Sequence, residues 1–394
     1  MPMFEKKEIW TDNIAVIDIW SYRIKIANCK FKKDEIDIVW YSEKRQEQDI
    51  ILNWEILDLK AICENLKIAF KKVDPNNNIK KIIINSITLD VFLSSSIVTY
   101  QRKYKDEKLK KEEIFHIIRE KEKECIDKAV KNIKTKTWYL KEDLKILSSN
   151  INHIFIDSIQ VKDLIWKTGK NISISITNMF IPNNKYELIE EIWKILWKEI
   201  ITIIPDEYSI TKLFDEQTDV VVINIWNSAT SISIKKSDEI VGTTKINIWM
   251  NDLFKKIKQK KIIPTEKIIK KIEKDFFEEK EVFLDTLKVC IVAWLQDVID
   301  WKVCPNKFFI TGWWWKCNFI KEYFKTIDFV WNHIKLIKKI EFIEPDFTLS
   351  KSEIDKIWTD NINLLSMIFV AHKIFYDERT IVKDMLEEVV MELE

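Results

Sequence analysis

The stretch Val16-Ile17-Asp18-Ile19-Trp20-Ser21-Tyr22-Arg23-Ile24-Lys25-Ile26-Ala27 predicts a strand, a tight turn and a second strand. An acidic residue, Asp18, ends the first apolar run, and a turn carrying Ser21 follows. This order is typical of a hairpin that holds phosphate. Such a turn needs glycine, because backbone N–H groups must approach the phosphate oxygens closely. The sequence has Trp20 there instead.

The same mismatch recurs along the chain. The sequence has 3 Gly and 17 Trp, although ordinary usage predicts roughly 28 Gly. Trp226 follows an apolar run, and Trp313, Trp314 and Trp315 directly follow Gly312. We interpret most Trp as glycines encoded by UGA codons that the cell reads as Gly. The alternative is a protein that is rich in Trp.

Three Trp fit this interpretation least well, because their sequence context does not require glycine: Trp10, Trp138 and Trp358.

Composition excludes several classes of protein. A chain of 394 residues can hold two or more domains. With 64 basic and 63 acidic residues, it lacks the basic excess of a nucleic-acid-binding protein. The six Cys form no CxxC pair and four His are scattered, so we expect no disulfide framework and no metal cluster. No apolar run reaches the length of a membrane span, and no signal peptide opens the chain, so we expect a cytoplasmic protein.

A second hairpin of the same kind lies about 205 residues after the first. It covers Asp219 to Ile234, and its turn carries Asn224, Trp226, Asn227, Ser228 and Thr230. Two similar halves, each with a phosphate-holding hairpin, suggest a nucleotide in the cleft between them. A third candidate loop, Gly312-Trp313-Trp314, precedes a helix predicted from Cys317, and a helix N-terminus favours anions.

Between the two hairpins the pattern predicts a small α+β insert. A serine-rich strand covers Thr88–Thr99, and a charged helix covers Glu112–Lys131. Two further strands are predicted over Leu144–Ser149 and His153–Val161. The last segment, Thr380–Glu394, predicts an amphipathic helix with an acidic outer face.

These motifs resemble the FtsA family of actin-like cell-division proteins, within the actin/Hsp70/sugar-kinase class. With Gly at 20 and 226, Asp18-Ile19-Trp20-Ser21 with Lys25 is similar to the family's first phosphate motif. Asn224-Ile225-Trp226 with Thr230 is similar to the second. Ile310-Thr311-Gly312-Trp313-Trp314 is similar to the adenosine motif. The resemblance covers residues 13–376 and implies a two-lobed α/β fold with a nucleotide cleft.

The resemblance also implies a division into subdomains. Residues 13–85 with 168–216 would form subdomain 1A, and 86–167 an inserted subdomain of the FtsA 1C type. Residues 217–250 with 301–376 would form subdomain 2A, and 251–300 subdomain 2B. Residues 377–394 would remain as an acidic amphipathic tail.

ATP and Mg²⁺ are the cofactors that the resemblance implies. Asp18 would hold Mg²⁺ through water, and Lys25 would offset phosphate charge. The remaining residues of the implied nucleotide site are Trp20, Ser21, Tyr22, Asn224, Trp226, Asn227, Ser228, Thr230, Gly312, Trp313 and Trp314. The family normally has Asp where this chain has Asn224, which carries no charge. Whether the chain is an enzyme therefore stays open, and at most we expect a slow ATPase without an assigned catalytic residue.

The tail is a second departure from the family. FtsA typically ends in a basic helix that lies on anionic lipid, whereas Glu387, Glu388, Glu392 and Glu394 make this tail acidic. We interpret it as a helix that docks onto another protein, so that membrane contact would be indirect.

Two functions follow from the resemblance. The first is an FtsA-like scaffold that forms filaments and links the tubulin-like FtsZ ring to the division site, at the inner face of the membrane. The alternative is a relative of PilM, a cytoplasmic scaffold of type IV pilus assembly that holds an inner-membrane partner. Neither function implies a nucleic-acid partner.

Overall fold

The computed structural model describes residues 13–20, 23–33, 35–47, 50–52, 55–86, 91–225, 230–246, 274–275, 277–299, 304–312, 318–326, 329–331, 334–337, 340–345, 361–376 and 381–393.

Strands and helices alternate along these residues. The strands are β1 Ile14–Ile19, β2 Arg23–Lys32, β3 Glu35–Arg45, β4 Ile51–Leu52, β5 Glu55–Ile56, β6 Lys81–Asn85, β7 Phe92–Gln101, β8 Leu144–Ile156, β9 Ile159–Val161, β10 Asn171–Pro182, β11 Glu199–Ile204, β12 Val220–Ile225, β13 Thr230–Lys236, β14 Glu239–Ile246, β15 Lys307–Thr311, β16 Phe329–Trp331, β17 Ile334–Ile337 and β18 Glu341–Phe342. The helices are α1 Leu59–Val73, α2 Lys111–Thr137, α3 Asn183–Leu196, α4 Asp206–Thr211, α5 Phe277–Ile299, α6 Asn318–Thr326, α7 Ile362–Tyr376 and α8 Ile381–Leu393.

The chain divides into two compact units. The first comprises Met1–Ile87 and Ile204–Ala371, and the second comprises Thr88–Ile203 and His372–Glu394. The FtsA-type subdomain boundaries given above stay a prediction.

Two sheets of the first unit share one topology. In the first sheet, β1 is antiparallel to β2 and parallel to β6. In the second, β12 is antiparallel to β13 and parallel to β15. All residues of β1 and β12 are buried, as expected for apolar strands at the centre of a sheet. Both predicted hairpins are therefore confirmed.

The two hairpins also share a register. Asp18, one residue before the end of β1, lies opposite Lys25 on β2. Asn224 has the same place in β12 and lies opposite Ser231 on β13. The internal duplication that the sequence suggested thus extends to individual residue pairs.

Helices bury apolar faces against these sheets. Leu287, Ile291 and Leu295 of α5 share a core with Val221 and Ile310 of β12 and β15. Helix α5 covers the second half of residues 251–300, whereas residues 251–273 lie outside the described residues.

A side chain caps the first helix. The Asp58 carboxylate accepts a hydrogen bond from the backbone N–H of Ala61 at 2.9 Å, which satisfies one free donor at the start of α1.

The second unit is one sheet with helices packed against it. Its strand order is β7-β10-β8-β9. Ile172, Ile174 and Ile176 alternate along β10 and share a core with residues of α2 and α8. Because side chains alternate between the faces of a strand, this face carries the apolar half of β10.

Strand β8 differs from the sequence-based expectation. Two strands were predicted over Leu144–Ser149 and His153–Val161. Instead, β8 is one continuous strand to Ile156, which includes the polar residues between the two predicted strands. A register shift against β10 leaves Asn152 as an extra residue. Asn152 then donates hydrogen bonds to Ser175 and Thr177, so neighbouring hydroxyls satisfy the polar residues inside the strand.

The C-terminal helix belongs to the second unit. Val382, Leu386 and Val389 of α8 lie in the core of the second unit. The sequence predicted the helix and its apolar face correctly. The chain itself therefore covers the apolar face, so docking of this helix onto another protein, which stays a prediction, would have to use its acidic outer face.

Three Trp adopt a backbone conformation that L-residues rarely adopt. Trp138 (φ 71), Trp166 (φ 60) and Trp197 (φ 55) all lie in the left-handed region. Trp138 and Trp197 end α2 and α3, where glycine is the usual residue. Their side chains are 87% and 89% exposed, so no packing fixes them there. Trp138 therefore occupies a position that favours glycine, contrary to the sequence-based expectation.

Among the helices that the structure describes, none is both long and apolar enough to span a bilayer.

Candidate functional site

A buried cluster surrounds the carboxyl end of β1. Asp18 is fully buried there, and Asn85, at the end of the neighbouring parallel strand β6, donates a hydrogen bond from Nδ2 to its Oδ1 at 3.1 Å. The same amide group of Asn85 donates to the Ile19 carbonyl and accepts from the Ile19 N–H. Asn85 therefore fixes the end of β1 and orients Asp18.

The turn after β1 begins at Trp20. The Trp20 backbone N–H donates to the Arg23 carbonyl at 2.9 Å, and the Gln46 side chain donates to the Trp20 carbonyl. These bonds fix Trp20 and Arg23, the two residues that flank the predicted site residues Ser21 and Tyr22 in the sequence. Ser21 and Tyr22 themselves lie outside the described residues.

Opposing effects set the charge of Asp18. Burial raises the pKa of its carboxyl to about 6, while the ammonium group of Lys25 and the Trp20 side chain act in the opposite direction. Lys25 is itself buried on β2 opposite Asp18. The structure thus places two of the predicted site residues, Asp18 and Lys25, opposite each other.

A second carboxyl, Asp206, belongs to the same cluster. It opens α4 directly after Pro205 and is buried. Burial raises its pKa well above the ordinary value of Asp, and repulsion from Asp18 and then Glu207 raises it further. Glu207 forms an ion pair with Lys245 at 3.1 Å.

Sequence reasoning missed Asp206, because it searched for glycine-type turns rather than for acids. The available signal was Pro205-Asp206-Glu207, two acids placed immediately after the apolar strand β11.

A second cluster lies at the carboxyl ends of β12 and β15. Asn224 on β12 is paired in register with Thr311 on β15, and both are buried. Gly312 follows with φ 94, and a Cβ on it would lie 2.2 Å from the Ile225 carbonyl oxygen. Only glycine allows this approach of the loop to the end of β12. Thr230, the first residue of β13, is also buried here.

Several buried polar atoms in these clusters lack an internal partner. Among the described residues, Oδ2 of Asp18, Oδ1 of Asp206 and both amide atoms of Asn224 make no hydrogen bond. Leaving a buried polar atom unpaired costs about 1–3 kcal/mol. Such a set of atoms is expected where a polar ligand completes the bonding. The two carboxylates in particular fit a hydrated Mg²⁺, which prefers oxygen ligands and keeps part of its water.

The remaining predicted site residues lie outside the described residues: Trp226, Asn227, Ser228, Trp313 and Trp314. The described residues thus form two clusters, one per sheet, around Asp18 and around Asn224.

Comparison with known proteins identifies the fold. No family model and no curated protein matches the sequence. A chain of the PilM–PilN type IV pilus biogenesis complex is similar in structure, with a TM-score of 0.62 at 9% identity over 93% of this chain and 99% of that one. The ethanolamine utilization protein EutJ from Carboxydothermus hydrogenoformans has a TM-score of 0.46 at 10% identity, over 92% of this chain and 91% of that one.

The chain therefore has an actin-like α/β fold. The expected fold class is confirmed, and the likeness at such low identity shows the fold alone.

Proposed function

We propose that this chain binds ATP with Mg²⁺ at the carboxyl ends of the two equivalent strands β1 and β12. The observation that carries this proposal is the set of buried, unpaired polar atoms on Asp18, Asn224 and Asp206. Asp18 and Asn224 each lie one residue before the end of a hairpin strand, and Asp206 begins helix α4. Backbone N–H groups of the turns would bind the β- and γ-phosphates, as such loops do elsewhere.

In this proposal each residue of the site has its own role. Asp18 and Asp206 hold the water shell of Mg²⁺, Lys25 offsets phosphate charge, and Ser21 and Thr230 bond phosphate oxygens. The loop that begins at Gly312 contacts the adenosine. Because Asn224 supplies no carboxylate, hydrolysis is slow or absent, and the nucleotide acts as a conformational switch.

The test uses a variant of the chain with Gly at positions 20, 226, 313, 314 and 315, which we call the glycine-loop chain. ATP–Mg²⁺ titration of this chain with Asp18→Asn should show at least a tenfold weaker affinity, since a ligand of the cation is lost. Asp37→Asn, at a half-buried position on β3 where the carboxylate pairs with Lys32, is the matched control. Equal affinity of both variants would contradict the assignment of Asp18.

We propose further that the protein is a scaffold of the FtsA type in bacterial cell division. This rests on the order and spacing of the three motifs and on the separate α+β unit inserted between them. An FtsZ-like tubulin homologue would be its partner, and filaments its assembled form, at the inner face of the membrane. The test is binding of a peptide from the FtsZ C-terminus.

A PilM-type scaffold of pilus assembly is the second candidate. It is supported by the TM-score of 0.62 with a chain of the PilM–PilN complex. In that case the partner would be a short peptide of a pilus inner-membrane protein. Binding of one peptide and not the other decides between the two functions.

We also propose that most Trp in the printed sequence are Gly in the cell, through UGA recoding. The left-handed backbones of Trp138 and Trp197 at helix ends and of Trp166 in a turn support this, because exposed indoles gain nothing from that conformation. Peptide mass spectrometry of the protein isolated from its own organism tests it. Gly in the peptides that span these positions is expected, and Trp there would refute the recoding.

A further inference from the structure

Strand β7 forms one edge of the sheet in the second unit. The strand order β7-β10-β8-β9 leaves it with a single neighbour. It pairs with β10 over its whole ten-residue length, from Phe92 to Gln101, without a register shift. The opposite edge strand, β9, is only three residues long. Long edges are unusual because they offer a template for pairing with another chain.

The usual protections of an edge strand are missing from β7. Its sequence, FLSSSIVTYQ, contains no charged residue and no proline, and its pairing contains no bulge. Alternate residues of an edge strand direct their N–H and C=O groups away from the sheet. Among the described residues, no backbone hydrogen bond made outside helices and ladders involves β7.

On one face of this edge, two hydroxyl groups flank an exposed aliphatic side chain. Ser95 and Thr99 bond across to Thr177 and Ser173 of β10, at 2.7 and 2.9 Å. Ile97 lies between them on the same face and is 58% exposed. Pairing with a further strand would cover Ile97.

The absence of charged residues on β7 favours a second copy of the same strand as its partner. When two copies of one strand pair antiparallel across a twofold axis, a residue near the axis lies opposite the same residue of the other copy. A charged residue there would therefore face a residue of the same charge. The uncharged β7 avoids this repulsion. In the sequence, Asp90 precedes β7 and Lys103 follows it, so antiparallel pairing brings opposite charges together at both ends.

We propose that β7 pairs antiparallel with β7 of a second copy of this chain, which joins two sheets across a twofold axis near Ile97. The contact closes a dimer and does not depend on the proposed nucleotide site.

Sedimentation velocity of the full chain across a concentration series tests the dimer. The wild-type chain should dimerise, and Ile97→Lys should remain monomeric at the concentrations where the wild type is a dimer, since two cations then meet at the axis. Ile97→Glu should also be monomeric, whereas an equimolar mixture of the Lys and Glu variants should dimerise again. The control is Ile159→Lys, at an exposed position on the opposite edge strand β9, which should dimerise like the wild type.

Hydrogen exchange locates the contact independently of the substitutions. Amides within Phe92–Gln101 should exchange more slowly as the wild-type concentration rises, and this slowing should be absent in Ile97→Lys. A wild-type chain that stays monomeric would overturn the proposal. So would an Ile97→Lys variant that dimerises as well as the wild type, or a dimer that leaves exchange in β7 unchanged.

Discussion

At the scale of single residues, burial decides the chemistry of Asp18. Asn85 fixes one carboxylate oxygen, whereas the other has no hydrogen-bond partner among the described residues. The pKa of about 6 follows from burial, which Lys25 only partly offsets. The charged form of Asp18 is therefore held in the folded protein at a cost in stability.

Because of this cost, we expect the effect of Asp18→Asn on the free energy of unfolding to depend on pH. Because folding raises the pKa of this acid, the ionised form lowers stability as pH rises from about 4, the pKa of Asp in unfolded chains, to about 6 in the folded protein. The variant should therefore be more stable than the parent by about 3 kcal/mol at pH 8 and nearly equal to it at pH 4. Urea unfolding at both pH values measures this, and a difference that does not change with pH would contradict it.

Substitution of Asn224 by Asp should increase ATP hydrolysis. If the nucleotide site is formed as proposed, Asn224→Asp adds the carboxylate that the second hairpin lacks, and ATP hydrolysis by the glycine-loop chain should rise roughly tenfold or more. Asn77→Asp, in an exposed turn, is the control and should leave the rate unchanged. Phosphate release is the measurement. No gain with Asn224→Asp would remove Asn224 as the reason for slow hydrolysis.

At the scale of secondary structure, substitution of two Trp in the same region should change stability in opposite directions. Trp197 ends α3 in the left-handed conformation, whereas Trp193 lies inside the helix. Trp197→Gly should stabilise the protein by about 1 kcal/mol, because glycine adopts this backbone without a steric penalty.

Trp193→Gly is the matched comparison. It should destabilise the protein by about 0.5 kcal/mol or more, since glycine weakens a helix interior. Thermal unfolding of both variants measures the pair, and a loss of stability in both would contradict the assignment of Trp197 to a glycine position.

Helix α8 gives a further prediction. Leu386 is 1% exposed in the core of the second unit, so Leu386→Ala should cost about 3 kcal/mol of unfolding free energy. Glu388→Ala, at an exposed position on the same helix, should be nearly neutral. Chemical unfolding measures both. A neutral Leu386→Ala would mean that α8 is not part of this core.

The sequence predicted the helices and strands better than it predicted which of them pack against one another. The hairpin from Val16 to Ala27 was predictable because apolar runs of strand length flank a polar turn. The packing of α8 was not, since amphipathic spacing shows that a face is buried but not what covers it. Asp206 was missed for a similar reason: its role depends on the neighbouring strands and on Asp18, which lies far away in the sequence.

At the scale of the whole molecule, duplication accounts for the candidate site. The same strand order and register place Asp18 and Asn224 at equivalent positions of two sheets in the first unit. The fold class was predictable from that repeat. The turns that complete each half carry Trp20 and Trp226 in the printed sequence, and these positions determine whether phosphate can approach the backbone.

The central claim is that the two hairpins bind nucleotide once their turns are glycine. Calorimetric titration of ATP–Mg²⁺ into the printed chain and into the glycine-loop chain tests it most directly. We predict binding by the glycine-loop chain and at least tenfold weaker binding by the printed chain, because indoles block access to the backbone N–H groups. Equally tight binding by the printed chain would contradict the recoding, and no binding by a folded glycine-loop chain would contradict the nucleotide site itself.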